Sequence, residues 1–150
     1  MRSAALACAA LLCAVPGLLS RAAAADLVEV GVAGLTLRLE AARTVDEQRT
    51  GLMRRAALAP DAGMIFLFQA PFPVAMWMKD TLIDLDAAFV DACGRILNIE
   101  RMKAGTLDLH RRAGYASAVI EMNAGWFAAH GVKPGMRVRG AGDARFCPAP

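Results

Sequence analysis

The stretch Met76-Trp77-Met78-Lys79-Asp80-Thr81-Leu82-Ile83-Asp84-Leu85-Asp86 decides how the rest of the chain is read. Val74, Met76 and Met78 recur at every second position, and Ala75, Trp77 and Lys79 fall between them, which is the period of a strand. Asp80-Thr81 makes a turn. A second strand follows from Leu85 to Asp91, with Leu85, Ala87 and Phe89 on one face and Asp84, Asp86 and Ala88 on the other. Ala92-Cys93-Gly94 is a hairpin turn, and Arg95 to Arg101 returns as a third strand.

The sequence outward from this unit keeps the same character. Met64-Ile65-Phe66-Leu67-Phe68 is apolar on both faces and lies between Pro60-Asp61-Ala62-Gly63 and Pro71-Phe72-Pro73, so it reads as a central strand. Leu27 to Val30 and Leu35 to Leu39 form a hairpin around Gly31 and Gly34, with Glu29 and Arg38 pointing outward. Ala116 to Met122 and Met136 to Arg139 complete about eight strands, mostly antiparallel because their connections are short. Two short helices join them. Thr44 with Glu47 is a capping box that starts a helix running to about Arg54. Leu52 and Met53 belong to its core face, and Gly51 inside it predicts the close passage of a backbone or a large side chain. The second helix spans Asn123 to Gly131, capped by Asn123. Lys103 to Gly114 lacks periodicity and reads as a long loop. The expected fold is mainly β with two short helices (α+β), compact and barrel-like.

Residues 1–25 read as a removable signal peptide. Met1-Arg2-Ser3 is a basic start, Ala4 to Leu19 an apolar run, and Ala23-Ala24-Ala25 supplies small residues for cleavage. The run is shorter than the ~20 residues of a membrane-spanning helix, so no anchor is expected after processing, and the chain is expected to be periplasmic or secreted. Residues 26–140 form one domain and 141–150 a flexible tail. The full chain of 150 residues has a net charge of +3, but Arg2 and Arg21 lie before residue 26, leaving 15 basic against 14 acidic residues. That balance provides no field for nucleic acid or an anionic membrane. Cys93 and Cys147 remain as an even pair, which in an oxidising compartment suggests a disulfide.

Thr44…Gly51-Leu52-Met53, Gly63-Met64-Ile65-Phe66, Trp77-Met78-Lys79-Asp80-Thr81, Leu85-Asp86 and Glu121-Met122-Asn123-Ala124-Gly125 occur in this order. This series closely resembles the successive motifs of a widespread bacterial and archaeal family, domain of unknown function 192. The resemblance spans roughly Leu27 to Arg139. It implies a compact, β-rich, often exported domain and supplies no reaction. Two departures stand out: Asp80 replaces the family's usual Asn, and Asp84 its usual Pro.

The chemistry points to binding before catalysis. Trp77, Lys79, Asp80, Thr81 and Asp86, with Glu121 and Arg49, are candidates to line a pocket for a small molecule or a cell-wall component. Tryptophan offers a flat face, and the charged groups fix orientation. The alternative is structural, with Trp77 in the core, Lys79–Asp80 a solvated turn, and Asp86 and Glu121 paired internally with Arg49 or Lys79. A hydrolase or lyase would use Asp84 and Asp86, two apart on one strand face, as a carboxylate pair. Copper(I) handling would use the thioethers of Met76 and Met78, with Met64, Met102 and Met122. His110 and His130 are far apart, and there is no nucleophile elbow, phosphate loop or zinc spacing, so no cofactor or other metal is expected.

Overall fold

A computed structural model describes residues 26–111, 114–142 and 147. The expected signal peptide, residues 1–25, lies outside the described residues, as do 143–146 and 148–150 of the expected tail. Strands β1 (Leu27–Val32) and β2 (Leu35–Ala42) form the expected hairpin, and helix α1 (Val45–Thr50) follows. Then come β3 (Gly63–Phe72), the two-residue β4 (Ala75–Met76), β5 (Leu85–Val90), β6 (Ile96–Met102), the two-residue β7 (His110–Arg111), β8 (Ala116–Asn123) and helix α2 (Trp126–Ala129). No helix among the described residues is long and apolar enough to cross a membrane.

The α+β class holds, with one six-stranded sheet in the order β1-β2-β3-β8-β5-β6. Strands β2 and β3 run parallel, with Ala41 opposite Ile65, because α1 and its following turns carry the chain back across the sheet. The other neighbours are antiparallel. The barrel expectation is corrected, because β1 and β6 stand at opposite ends of an open sheet and do not pair with each other. The segment expected as a last strand, Met136 to Arg139, makes two isolated bridges instead: Arg137 faces Arg95, and Arg139 faces Gly31. Within two residues it passes from one edge to the other, so no continuous ladder closes the sheet.

Both faces of the sheet are covered, and β5 is buried throughout. One face packs Ile65, Ala88, Val90, Ile120 and Met122 under Trp126 and Phe127 of α2 and under Val132 and Val138. The opposite face packs Met64, Phe66, Leu85, Ala87, Phe89 and Met102 under Leu52, Val74, Met76 and Met78.

Three local expectations change. The strand from 74 to 78 shrinks to Ala75–Met76, which pairs with His110–Arg111 inside the expected loop. Helix α1 stops at Thr50 because Gly51 turns to φ 47°, ψ −134°. Asn123 ends β8 and does not cap α2, whose N-cap is Gly125. The Asn123 amide donates instead to the carbonyls of Leu58 and Ala59 at 3.3 and 2.9 Å. The Thr44 capping box is present, with Glu47 N–H to the Thr44 hydroxyl at 3.2 Å and Thr44 N–H to the Glu47 carboxylate at 2.9 Å. Cys93 and Cys147 are bonded to each other, and Ala141 is only 2% exposed, packed in the core with Val138.

Candidate functional site

The opening stretch alternates as its sequence suggests. Val74, Met76 and Met78 are buried, while Trp77 is 44% exposed. Trp77 is therefore not a core residue; it stands at the mouth of a cleft. The chain there is held against residues 104–110. Met78 N–H donates to Thr106 O at 3.2 Å, Gly105 N–H to Thr81 O at 3.0 Å, and Ala104 N–H to the Asp84 carboxylate at 2.7 Å.

The mouth of the cleft is lined by Arg49, Met53, Arg54, Trp77, Lys79 and Asp80 and encloses about 400 Å³. Lys79 Nζ donates to Asp80 Oδ2 at 2.6 Å, and this bond holds the Asp80 carboxyl below the usual carboxylate range. Both side chains of this pair are about half-exposed, so it contributes little to stability. Arg49 meets only Asp46 among the described residues, at 4.0 Å with both side chains widely exposed, so that pair is worth little. Two non-glycine residues here have left-handed backbones, Arg54 at φ 61° and Asp80 at φ 55°, and Arg54 N–H donates to Asp80 O at 2.8 Å. Asp tolerates that conformation better than most residues, so Asp80 can hold the turn.

Below the mouth a slot of about 30 Å³ runs between Arg49, Leu52, Phe66, Met76, Thr81 and Glu121. Gly51 forms part of its wall, and a Cβ there would lie 3.1 Å from Phe66 Cζ, the close approach expected of this glycine. The Thr81 hydroxyl is buried and donates to Lys79 O at 3.3 Å. Glu121 is 4% exposed. Its register partners are Met64 and Ala87, so its side chain leaves the sheet on their face, toward the slot. No side chain or backbone group among the described residues hydrogen-bonds its carboxyl. Burial alone pushes its pKa up to about 8, so the group is a neutral acid at pH 7.

Asp86 is separated from this group. It is also 4% exposed, but it lies opposite Met122 and Arg101, on the other face of the sheet. Arg101 Nε donates to Asp86 Oδ1, and Gly125 N–H donates to Oδ2 at 2.7 Å. This places Asp86 among the structural ion pairs and corrects its assignment to the pocket. The carboxylate pair is taken up in the same way, with Asp84 on Ala104 N–H and Asp86 on Arg101 and Gly125. The methionines divide too: Met64, Met76, Met78 and Met102 pack on one face and Met122 on the other.

The structure thus brings Trp77, Lys79, Asp80 and Arg49 together at the mouth and Thr81 and Glu121 at the floor. Sequence reasoning missed Arg54, which carries no pattern of its own, and assigned Met53 to the core when it is half-buried on the cleft wall.

The family model of DUF192, described as an uncharacterized ACR, matches residues 28–140, and the chain belongs to that family. No match was found among curated proteins. Two solved structures resemble the chain. One, from Sinorhizobium meliloti 1021 and described as a "putative transcription regulator", is 35% identical over 78% of this chain and 95% of its own, with a TM-score of 0.74. The other, from Novosphingobium aromaticivorans DSM 12444 and described as a protein of unknown function, is 39% identical over 75% of this chain and 84% of its own, with a TM-score of 0.72.

Proposed function

We propose that this DUF192 member is an exported binding module that takes a small ligand or a cell-envelope component in the cleft between Trp77 and Glu121. One observation carries the reading. Glu121 is a buried residue whose carboxyl has no hydrogen-bond partner among the described residues and opens onto the floor of a slot, under a half-exposed tryptophan and two arginines. An unpartnered buried carboxyl lowers stability by a few kcal/mol, and a leucine or methionine at the same position would not. The same fold contains the structural alternative in Asp86, equally buried but clamped by Arg101 and Gly125. The left-handed backbones of Arg54 and Asp80 support the reading, because strain of this kind collects at ligand sites.

Export rests on the leader-like sequence of residues 1–25. The regulator description of the Sinorhizobium protein is not carried to this chain, whose residues from 26 onward hold 15 basic against 14 acidic side chains. The test is a thermal-shift screen of the purified protein against cell-wall glycans and peptides. A ligand at 100 times its dissociation constant adds about 2.7 kcal/mol. Trp77→Ala is expected to abolish the shift; an unchanged shift would place the ligand elsewhere. Fractionation with mass analysis is expected to find a chain starting near Asp26 in the periplasm or the medium, and a chain confined to the cytoplasm with Met1 intact would remove the export proposal.

A further inference from the structure

The two ends of the cleft differ in charge, and the difference selects a ligand chemistry. At the mouth three cations, Arg49, Arg54 and Lys79, surround one carboxylate, Asp80, so the mouth is net positive. The floor is the Glu121 carboxyl, which has no hydrogen-bond partner among the described residues and which burial favours in its protonated form. Among the described residues, the one charged side chain lining the slot with Glu121 is Arg49, from α1. The strands contribute Met64 and Phe66 from β3, Met76 from β4 and Ala87 from β5, none of which titrates. A cation would have to pass two arginines and then ionise a carboxyl in an apolar wall. An anion is attracted to the mouth but is not matched by the floor. A slot of about 30 Å³ holds roughly what one or two waters need, so only the tip of a ligand enters it. A protonated carboxyl there offers one donor and one acceptor.

We propose, building on the binding reading above, that the ligand is a small organic anion with a neutral hydroxyl, carbonyl or amide tip. Its charge sits at Arg49 and Arg54, and its tip exchanges hydrogen bonds with the Glu121 carboxyl. Affinity falls as pH rises through about 8, because an ionised Glu121 loses its donor and repels the anion. A tip that replaces the one or two waters the slot can hold gains about one net hydrogen bond, so tip and tipless ligands differ about tenfold.

The experiment is calorimetric titration of the purified, disulfide-intact protein with short ω-hydroxy alkanoates of graded length. The matched plain alkanoates and ω-amino alkanoates are titrated beside them, at about pH 7 and about pH 9.5. One hydroxy acid is expected to bind about tenfold more tightly than its plain and amino counterparts, and to lose about tenfold or more at the higher pH. Glu121→Gln, which keeps a donor and an acceptor but cannot ionise, is expected to retain the preference and lose the pH dependence. Arg54→Gln, on the surface, is expected to weaken all the carboxylates alike without changing the preference. A preference for the amino acids, a pH fall that persists in Glu121→Gln, or no binding by any member would each overturn the proposal. A cell-wall glycan or peptide that binds through Trp77 while every alkanoate fails would overturn this ligand class and leave the cleft as the binding site. Failure of both would remove the cleft as well.

Discussion

Replacing Glu121 with Gln is expected to stabilise the protein at neutral pH, an unusual outcome for a buried polar position. The unfolded chain loses the Glu121 proton near 4.5, whereas burial in the folded chain holds it to about 8. Between those values the native state binds a proton that the unfolded state does not, so stability falls as pH rises. The ionisation-linked penalty is zero below 4.5 and grows by ~1.4 kcal/mol per pH unit to a plateau above 8. At pH 7 the accumulated cost is about 3 kcal/mol and at the plateau roughly 5, a large share of a total stability of ~5–15 kcal/mol. The glutamine side chain of the variant has no proton to lose. Its amide brings two donors without acceptors, which adds a penalty of ~1–3 kcal/mol that does not vary with pH. The pH slope is therefore diagnostic and the offset is not. Urea unfolding of both proteins, followed by tryptophan emission from about pH 5 to about pH 9, gives the difference directly. The advantage of the variant should grow by ~1.4 kcal/mol per unit up to about pH 8 and then level off. A difference that does not change with pH would mean that Glu121 is ionised in the native protein and is not an unpartnered acid.

Three further outcomes follow from the packing. Replacing Cys93 and Cys147 with Ala opens a loop with a sequence separation of 54, and the loop-closure model predicts a loss of about 4 kcal/mol, read from the urea midpoint. Gly51→Ala puts a Cβ 3.1 Å from Phe66 Cζ on a backbone at φ 47°. It should cost about 1–3 kcal/mol and push the ring into the slot, so ligand affinity falls with the melting temperature. Arg101→Met leaves the buried Asp86 with only the Gly125 N–H; a loss of about 1–3 kcal/mol is expected with cleft binding unchanged, and a loss of affinity like that of Trp77→Ala would contradict the placement of Asp86 on the opposite face.

Features written in short-range chemistry were legible in the sequence. The alternation of Val74, Met76 and Met78 with Ala75, Trp77 and Lys79 foretells which side chains are buried, because a strand's faces follow from spacing alone. The Thr44–Glu47 capping box needs only four residues and is there. Gly51 signals a close neighbour that proves to be Phe66. Features that depend on distant partners were not legible. Asn123 resembles a helix cap in sequence, yet the carbonyls of Leu58 and Ala59 claim its amide across the fold. Closure of the sheet depends on whether residues 136–139 keep one partner strand, and the chain there meets β6 and β1 in turn.

Asp86 and Glu121 show where the reading of the site divides. Each lies on a strand, and pooling them in one pocket requires that β5 and β8 turn them to the same side. That is decided by register, and a one-residue change in register reverses it. An edge strand reveals its register through alternating polar and apolar residues. β5 and β8 are central and buried on both faces, so their alternation is erased and the sequence is silent on which face each acid takes. In the structure Asp86 lies opposite Met122 and Glu121 opposite Ala87, so the two acids leave the sheet in opposite directions. Register also sets Arg101 beside Asp86 and only Met64 and Ala87 beside Glu121. At equal exposure of 4%, burial does not distinguish the two groups. The missing partner does, and it makes Glu121 the acid that a ligand has reason to meet.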